Sequence, residues 1–318
     1  MNVLSTTVFL VLVAATIAVT WWAARRNRSA DSHYVAGSSI TGRQNGLAIA
    51  GDYISAASFL GVTGAMAIAG FNGFYLAVFV PVAFVLALLL IAEPLRNLGR
   101  FTLADVLATR FSGSGVRSLM AVSTVVISVL YMVAQFVGAA VLVRLLFGLD
   151  YWQAFLLIGF LTTVYTLLGG MLATTWIQIL KTGLLLACAV VLFALVVSRY
   201  GFNPLNVFDR VYNEIGPATA SPTRTTTLAG LDQFSMVLGL VLGVLGLPHA
   251  MIRFLTVRDA RAARSSALTS IWVFSAFYLL IPVIAYGAGH LVGTKELVKA
   301  HPSGQLAIVQ LAEHIGGG

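Results

Sequence analysis

The stretch Asn45–Gly70, NGLAIAGDYISAASFLGVTGAMAIAG, is long enough to cross a bilayer and holds a single charge, Asp52. Gly51, Tyr53, Ser55 and Ser58 surround that charge, and glycines return at Gly61 and Gly64. A helix that only has to sit in lipid has no use for these residues. Glycine weakens a helix, serine competes for its backbone hydrogen bonds, and an ionisable group within the membrane marks a functional site. The pattern predicts a transmembrane helix broken at mid-membrane, with backbone groups turned toward a solute and an ion.

The rest of the chain has the matching composition. Of its 318 residues, 59% are hydrophobic and 9% charged, with mean hydropathy +0.93. A soluble domain carries about a quarter charged residues. The charges cluster between uncharged runs of spanning length, which predicts an all-α polytopic membrane protein with about eight transmembrane helices. The runs are continuously apolar, so a period-two β-barrel is excluded. The net charge of +8 comes from arginines that flank the runs and form no basic face interleaved with aromatics, so no nucleic-acid partner is expected. Cys188 is the only cysteine, which excludes a disulfide framework and a cysteine metal site; within its apolar run it is expected to pack.

In chain order the predicted spans are Val3–Ala24, the broken helix, Phe74–Ala92, Leu119–Val143, Tyr151–Leu168, Trp176–Val197, Phe234–Ile252 and Ala267–Gly289. Gly169-Gly170 is predicted to turn the chain between the fifth and sixth. Thr102 and Asp105 have the spacing of a capping box. Arg199–Gln233 reads as an external loop with a short helix near Leu205–Tyr212. The tail from His290 reads as polar, and His33, His290, His301 and His314 as loop residues without a signal. Most Lys and Arg residues, with Lys181 counted as a flank of the sixth span, fall on the sides that follow the first, third, fifth and seventh spans. That bias places the N-terminus outside and the chain in the cell membrane as a multi-pass protein.

The seventh span is also interrupted, at Gly246-Leu247-Pro248. It lies five spans after the first interruption and crosses in the opposite direction, the arrangement that points to an inverted-repeat transporter and its site. A break near Gly51–Ile54 leaves carbonyls at a helix C-terminus, suited to a cation, and N–H groups near Ser55, suited to a carboxylate. Pro248 suits the first position of a restarted helix. Asp52 is a candidate cation ligand, proton carrier or structural clamp. Tyr53, Ser55, Ser58, Gly246 and Pro248 line the two interruptions and are candidate substrate-binding residues. Tyr131 and Gln135 are candidates for substrate contact or interhelical hydrogen bonding, and His249 for substrate binding, a gate or packing. No Walker, G-x-S-x-G or H-E-x-x-H sequence occurs, so gradient-driven transport is expected, and no enzymatic activity or cofactor beyond a coupling Na⁺ or H⁺.

Tyr165-Thr166-Leu167-Leu168-Gly169-Gly170-Met171-Leu172-Ala173 resembles the signature of the sodium:solute symporter family. Gly51–Gly61, Phe101–Asp105, and Gly246–His249 with Arg253-Phe254 resemble its acetate permease branch. The resemblance implies a LeuT-type inverted-repeat helical bundle with one extra N-terminal helix, and cation-coupled uptake of a short monocarboxylate such as acetate. It implies a domain plan of one transmembrane domain over 1–318: an extra helix and loop at 1–44, a first five-helix repeat at 45–199, the external loop at 200–233 and the start of a second repeat at 234–318. It implies a Na⁺ half-site at the backbone carbonyls of Gly51 and Ile54, completed in the family by an eighth core helix expected beyond Gly318, so that the chain is expected to be an N-terminal portion of the bundle. Gln178 stands where sugar- and proline-type relatives carry an acid. The choice between Na⁺ and H⁺, the identity of the acid and the oligomeric state stay open. Other sodium:solute symporter types and a transporter-like domain of a membrane histidine kinase are the alternative readings.

Overall fold

The structure is a computed structural model, and it describes residues 3–26, 29–55, 57–99, 101–111, 114–216 and 227–316. The helices in order are α1 Val3–Ala24, α2 Ala30–Val35, α3 Gly42–Tyr53, a π-helical turn Ala57–Val62 leading into α4 Thr63–Ala69, α5 Phe71–Leu90, α6 Ala92–Leu98, α7 Leu103–Ala108, α8 Ser114–Phe147, α9 Tyr151–Arg199, α10 Leu205–Glu214, α11 Thr227–Gly246, α12 Pro248–Met251, α13 Ala260–Ala288, α14 Thr294–Ala300 and α15 Ala307–Gly316. Among the described residues the only β-type pairing outside these helices is an isolated bridge between Ile40 and Val257. Helix is what these sequences must form in lipid, where every backbone polar group has to be satisfied within its own segment.

Among the described residues five helices are long and apolar enough to cross a membrane (α1, α5, α8, α9 and α13), or up to seven spans if the interrupted pairs α3/α4 and α11/α12 each count as one. α9, at 49 residues, is not one crossing. Gly170 inside it has φ 58 and ψ −159, a backbone conformation that costs any residue with a Cβ, and it divides the helix into two segments of spanning length. Thr20 near the end of α1 lies beside Gly169, and Trp22 beside Trp176 with ring centroids 6.4 Å apart. The end of α1 therefore meets the chain on both sides of Gly170.

The chain divides into two compact units. The first comprises Met1–Tyr53, Val85–Thr182 and Gly246–Ser270; the second comprises Ile54–Phe84, Gly183–Leu245 and Ile271–Gly318. In the first, Ala140, Val143 and Ala154 form a buried cluster flanked by Phe9, Phe147 and Phe155. Small residues at these positions let α8 and the start of α9 approach, and the aromatics fill the margin, Phe9 against Phe147 at 5.2 Å. Arg25 and Arg26 stack over Trp21 and Trp22 at the end of α1. Thr102 and Asp105 make the reciprocal capping bonds that start α7.

In the second unit the core is aromatic: Phe84 packs on Phe274 at 4.8 Å and Phe59 on Phe277 at 5.3 Å. Gly64 sits against the backbone of Gly304, so close that a Cβ on Gly64 would lie 2.3 Å from the Gly304 carbonyl oxygen. The amphipathic helix α10 buries Val207 and Val211 and sets Phe208 against Tyr286. The segment after His290, expected to be a polar tail, is helical as α14 and α15, whose apolar residues Leu297, Leu311 and Ile315 are buried. Cys188, expected to pack, is exposed on α9, an acceptable place for an apolar side chain on a helix in lipid.

Candidate functional site

The helix α3 is fixed in the first unit by glycine contacts on two sides. A Cβ on Gly46 would lie 2.5 Å from Thr269, and one on Gly51 would lie 2.4 Å from the Gln178 carbonyl oxygen and 2.6 Å from Thr182 Oγ1. α3 is thus wedged between the start of α13 and the middle of α9. Side chains then bond to its backbone. Thr182 donates its hydroxyl toward the Leu47 carbonyl at 2.9 Å, and Ser270 donates to the Gly46 carbonyl at 3.0 Å.

Gly51 is therefore a close-packing residue inside α3, and the break falls after Tyr53, at the C-terminal end of the predicted interval Gly51–Ile54. Ile54 and Ser55 lie outside helical structure. In an unbroken helix the Ser55 N–H would donate to the Gly51 carbonyl; here it donates to Ser58 Oγ at 2.8 Å, and the Ser58 N–H donates in return to Ser55 Oγ at 3.4 Å. This reciprocal pair starts the next helical segment, in the second unit. The second interruption is where the sequence places it. Leu247 is extended, with ψ 112, and Pro248 takes the first helical position of α12, which runs into a 3₁₀ turn at Ile252–Leu255.

The two interrupted helices are tied by a buried ion pair. Arg253 donates from Nε to Asp52 Oδ2 and from Nη2 to Asp52 Oδ1 at 3.1 Å, and from Nη1 to Thr175 Oγ1 at 3.1 Å. The side chains are 4% and 8% exposed, so neither charge is compensated by bulk water. The Arg253 carbonyl is held in turn. Asn45 Nδ2 donates to it at 3.0 Å and to Ser266 Oγ at 3.1 Å, while Thr256 Oγ1 donates toward it at 2.7 Å and toward Asn45 Oδ1 at 3.1 Å.

Around this pair the first unit gathers several of the candidate residues. Tyr131 on α8 donates its hydroxyl to the Asp52 carbonyl at 3.2 Å. Its ring lies 4.4 Å from that of His249, and the Tyr53 ring lies 6.4 Å from that of His249. Pro248 is buried, while Gly246 is exposed with open space where a Cβ would stand. Gln135, one turn along α8 from Tyr131, is half-buried. Ser55 and Ser58 belong to the second unit and bond to each other there. The Asp52 carboxylate is committed to Arg253, and Ile54 lies in the break. Among the described residues no group of His, Cys, Asp and Glu has the arrangement of a metal site.

Sequence reasoning passed over Arg253, Thr175, Asn45 and Thr256 as parts of this site. Asn45 carried the available signal: a fully buried amide at the start of an apolar run needs partners for both of its ends. His290, read as a loop residue, is also engaged, in the second unit: Tyr200 Oη lies 2.7 Å from its Nδ1, and Glu214 Oε2 lies 2.8 Å from its Nε2.

Comparison with known proteins places this arrangement. The family model described as the sodium:solute symporter family matches residues 33–318. The chain is 42% identical over 324 residues to the uncharacterized symporter YwcA of Bacillus subtilis (strain 168), covering 100% of this chain and 62% of that protein. The chain thus spans less than two thirds of the length of that curated relative. Among solved structures it resembles a Na⁺-coupled sialic acid symporter in its substrate-bound, outward-open state, with TM-score 0.76 and 16% identity over 98% of this chain and 68% of the other. That likeness shows the fold, a LeuT-type helical bundle, and leaves the substrate undetermined.

Proposed function

Because the chain belongs to the sodium:solute symporter family, we propose that the full-length protein is a secondary transporter that couples entry of a cation, Na⁺ or H⁺, to uptake of a short monocarboxylate such as acetate. The observation that carries the reading is the Asp52–Arg253 pair, buried where two interrupted helices meet. Structural proteins gain little from a buried ion pair, because the desolvation of both charges offsets their attraction. Transporters use such irregular, polar places at mid-membrane for binding and for alternation between states.

The coupling cation is assigned to the C-terminal end of α3. The break frees carbonyls there, and their partial negative charge favours a cation. In this reading the Asp52 carboxylate is a clamp and not an ion ligand, since Arg253 already holds both its oxygens. The acid is assigned from sequence: the runs Gly51–Gly61 and Gly246–His249 and the neutral Gln178 resemble the acetate branch. The protein is assigned to the cell membrane with its N-terminus outside, from the distribution of Lys and Arg.

The test is uptake of radiolabelled acetate by the full-length protein in proteoliposomes, under an inward Na⁺ gradient, an inward H⁺ gradient, or neither. Uptake that accumulates acetate under one gradient and not without it supports the reading. Equal uptake in all three conditions rejects coupling, and no uptake of acetate, propionate or pyruvate rejects the substrate class.

A further inference from the structure

The ion pair leaves three polar groups of the first unit unused. His249 Nε2 and Gln178 Oε1 are buried with no hydrogen-bond partner among the described residues. Lys181 is half-buried and makes no hydrogen bond or salt bridge to any described residue. Buried polar atoms in native proteins are nearly always paired, so an unpaired one marks a place that something else fills.

Lys181 lies inside a helical segment of spanning length. It stands about 16 Å along the helix from Gly170, at 1.5 Å per residue, a distance comparable to half of a hydrocarbon layer of about 30 Å. It follows Gln178, whose backbone carbonyl packs against Gly51, by one turn, so it flanks the side of α9 that meets α3. It is close enough to Asp52, Arg253 and His249 to interact with them electrostatically.

The charges then decide what is missing. Arg253 is satisfied in place by Asp52 and Thr175, so that pair is neutral. Lys181 adds one positive charge with no counter-ion, and an unpaired ammonium within the membrane is costly. A coupling cation would be repelled from it, whereas a monoanion would neutralise it. We propose that Lys181 receives the carboxylate of the transported acid, with His249 and Gln178 as flanking polar groups, an assignment that rests on the monocarboxylate reading above. A compact ammonium with three donors suits one small carboxylate better than a large or zwitterionic solute.

The experiment uses the full-length protein in proteoliposomes with radiolabelled acetate. Lys181→Met is expected to raise KM for acetate at least tenfold while the half-saturating cation concentration stays unchanged, and Lys181→Arg to retain most of the affinity. In a Cys188→Ser background, Lys181→Cys is expected to lose uptake. Treatment with 2-aminoethyl methanethiosulfonate, which restores an ammonium, should return it, and methyl methanethiosulfonate should not. The reagents act on folded protein, so failure of both to rescue overturns the proposal, as does equal rescue by both. A wild-type KM in Lys181→Met, or a change in cation dependence alone, also overturns it while leaving the monocarboxylate reading intact. If the unmodified protein takes up no monocarboxylate, that reading fails first and the assignment of Lys181 falls with it.

Discussion

Arg253 and Asp52, 201 residues apart in sequence, meet through two hydrogen bonds at the interruptions of two different helices. Removing either partner strands the other as a lone buried charge, which costs about 3–5 kcal/mol. Asp52→Ala and Arg253→Ala should each lower the melting temperature of the detergent-solubilised full-length protein sharply. The neutral double variant Asp52→Asn/Arg253→Gln should recover much of that loss. Additive losses in the double variant would show that the two side chains act independently.

Gly51 should tolerate no side chain. A Cβ at this position would fall 2.4 Å from a backbone oxygen of Gln178, which cannot rotate away. Gly51→Ala is expected to cost about 1–3 kcal/mol through forced displacement of α3 and to depress uptake. Gly239→Ala, with open space where its Cβ would stand, should be neutral or stabilising. Comparable melting temperatures for the two variants would contradict the packing role given to Gly51.

Asn45→Ala should destabilise by about 1–3 kcal/mol, because it leaves Ser266 and Thr256 without the amide that joins them in a buried setting. Asn45→Asp supplies the acceptor and removes the donor, so it should fail as well. A thermal shift assay on both variants checks this, and wild-type stability for Asn45→Asp would show that the bond to the Arg253 carbonyl is dispensable.

The helix α10 should loosen in acid. The hydrogen bond from His290 holds the Glu214 carboxyl below its ordinary value of 4.5. A lowered carboxyl value means the contribution is present above the ordinary range and is lost as pH falls through the lowered one. Burial, with the Glu214 charge nearby, pushes the Tyr200 hydroxyl up to about 12, so Tyr200 stays neutral across the whole interval and its own contribution is lost only in strong alkali. Hydrogen exchange over 205–214 should show protection that is steady near neutrality and falls below the ordinary carboxyl value, and Glu214→Gln should remove that fall. Protection in acid equal to that at neutral pH in the unmodified protein would refute the link.

Asp52 was legible because a charge inside an apolar run is costly and needs a partner or a function to hold it there. Its partner was not, because Arg253 opens what reads as a basic loop. Only the helix restarted at Pro248, with its 3₁₀ extension, carries burial as far as Leu255. Gly51 marked the right region for the wrong reason: glycine serves flexibility and close approach equally, and only distances in the folded chain tell them apart. Lys181 reads as a flanking charge if its helix begins at Trp176, and as an internal one because the helix begins directly after Gly170. His290 was hidden for a related reason, since its two partners lie 90 and 76 residues away.

The dihedral at Gly170 has a consequence for the size of the whole chain. A straight rod of the 49 residues around it would be about 74 Å long at 1.5 Å per residue, against a hydrocarbon layer of about 30 Å. One backbone torsion in the left-handed half of conformational space therefore sets how many times the polypeptide can thread the membrane, and with that which side every later loop must face. A methyl group at this position would act less on local stability than on the direction of everything that follows it.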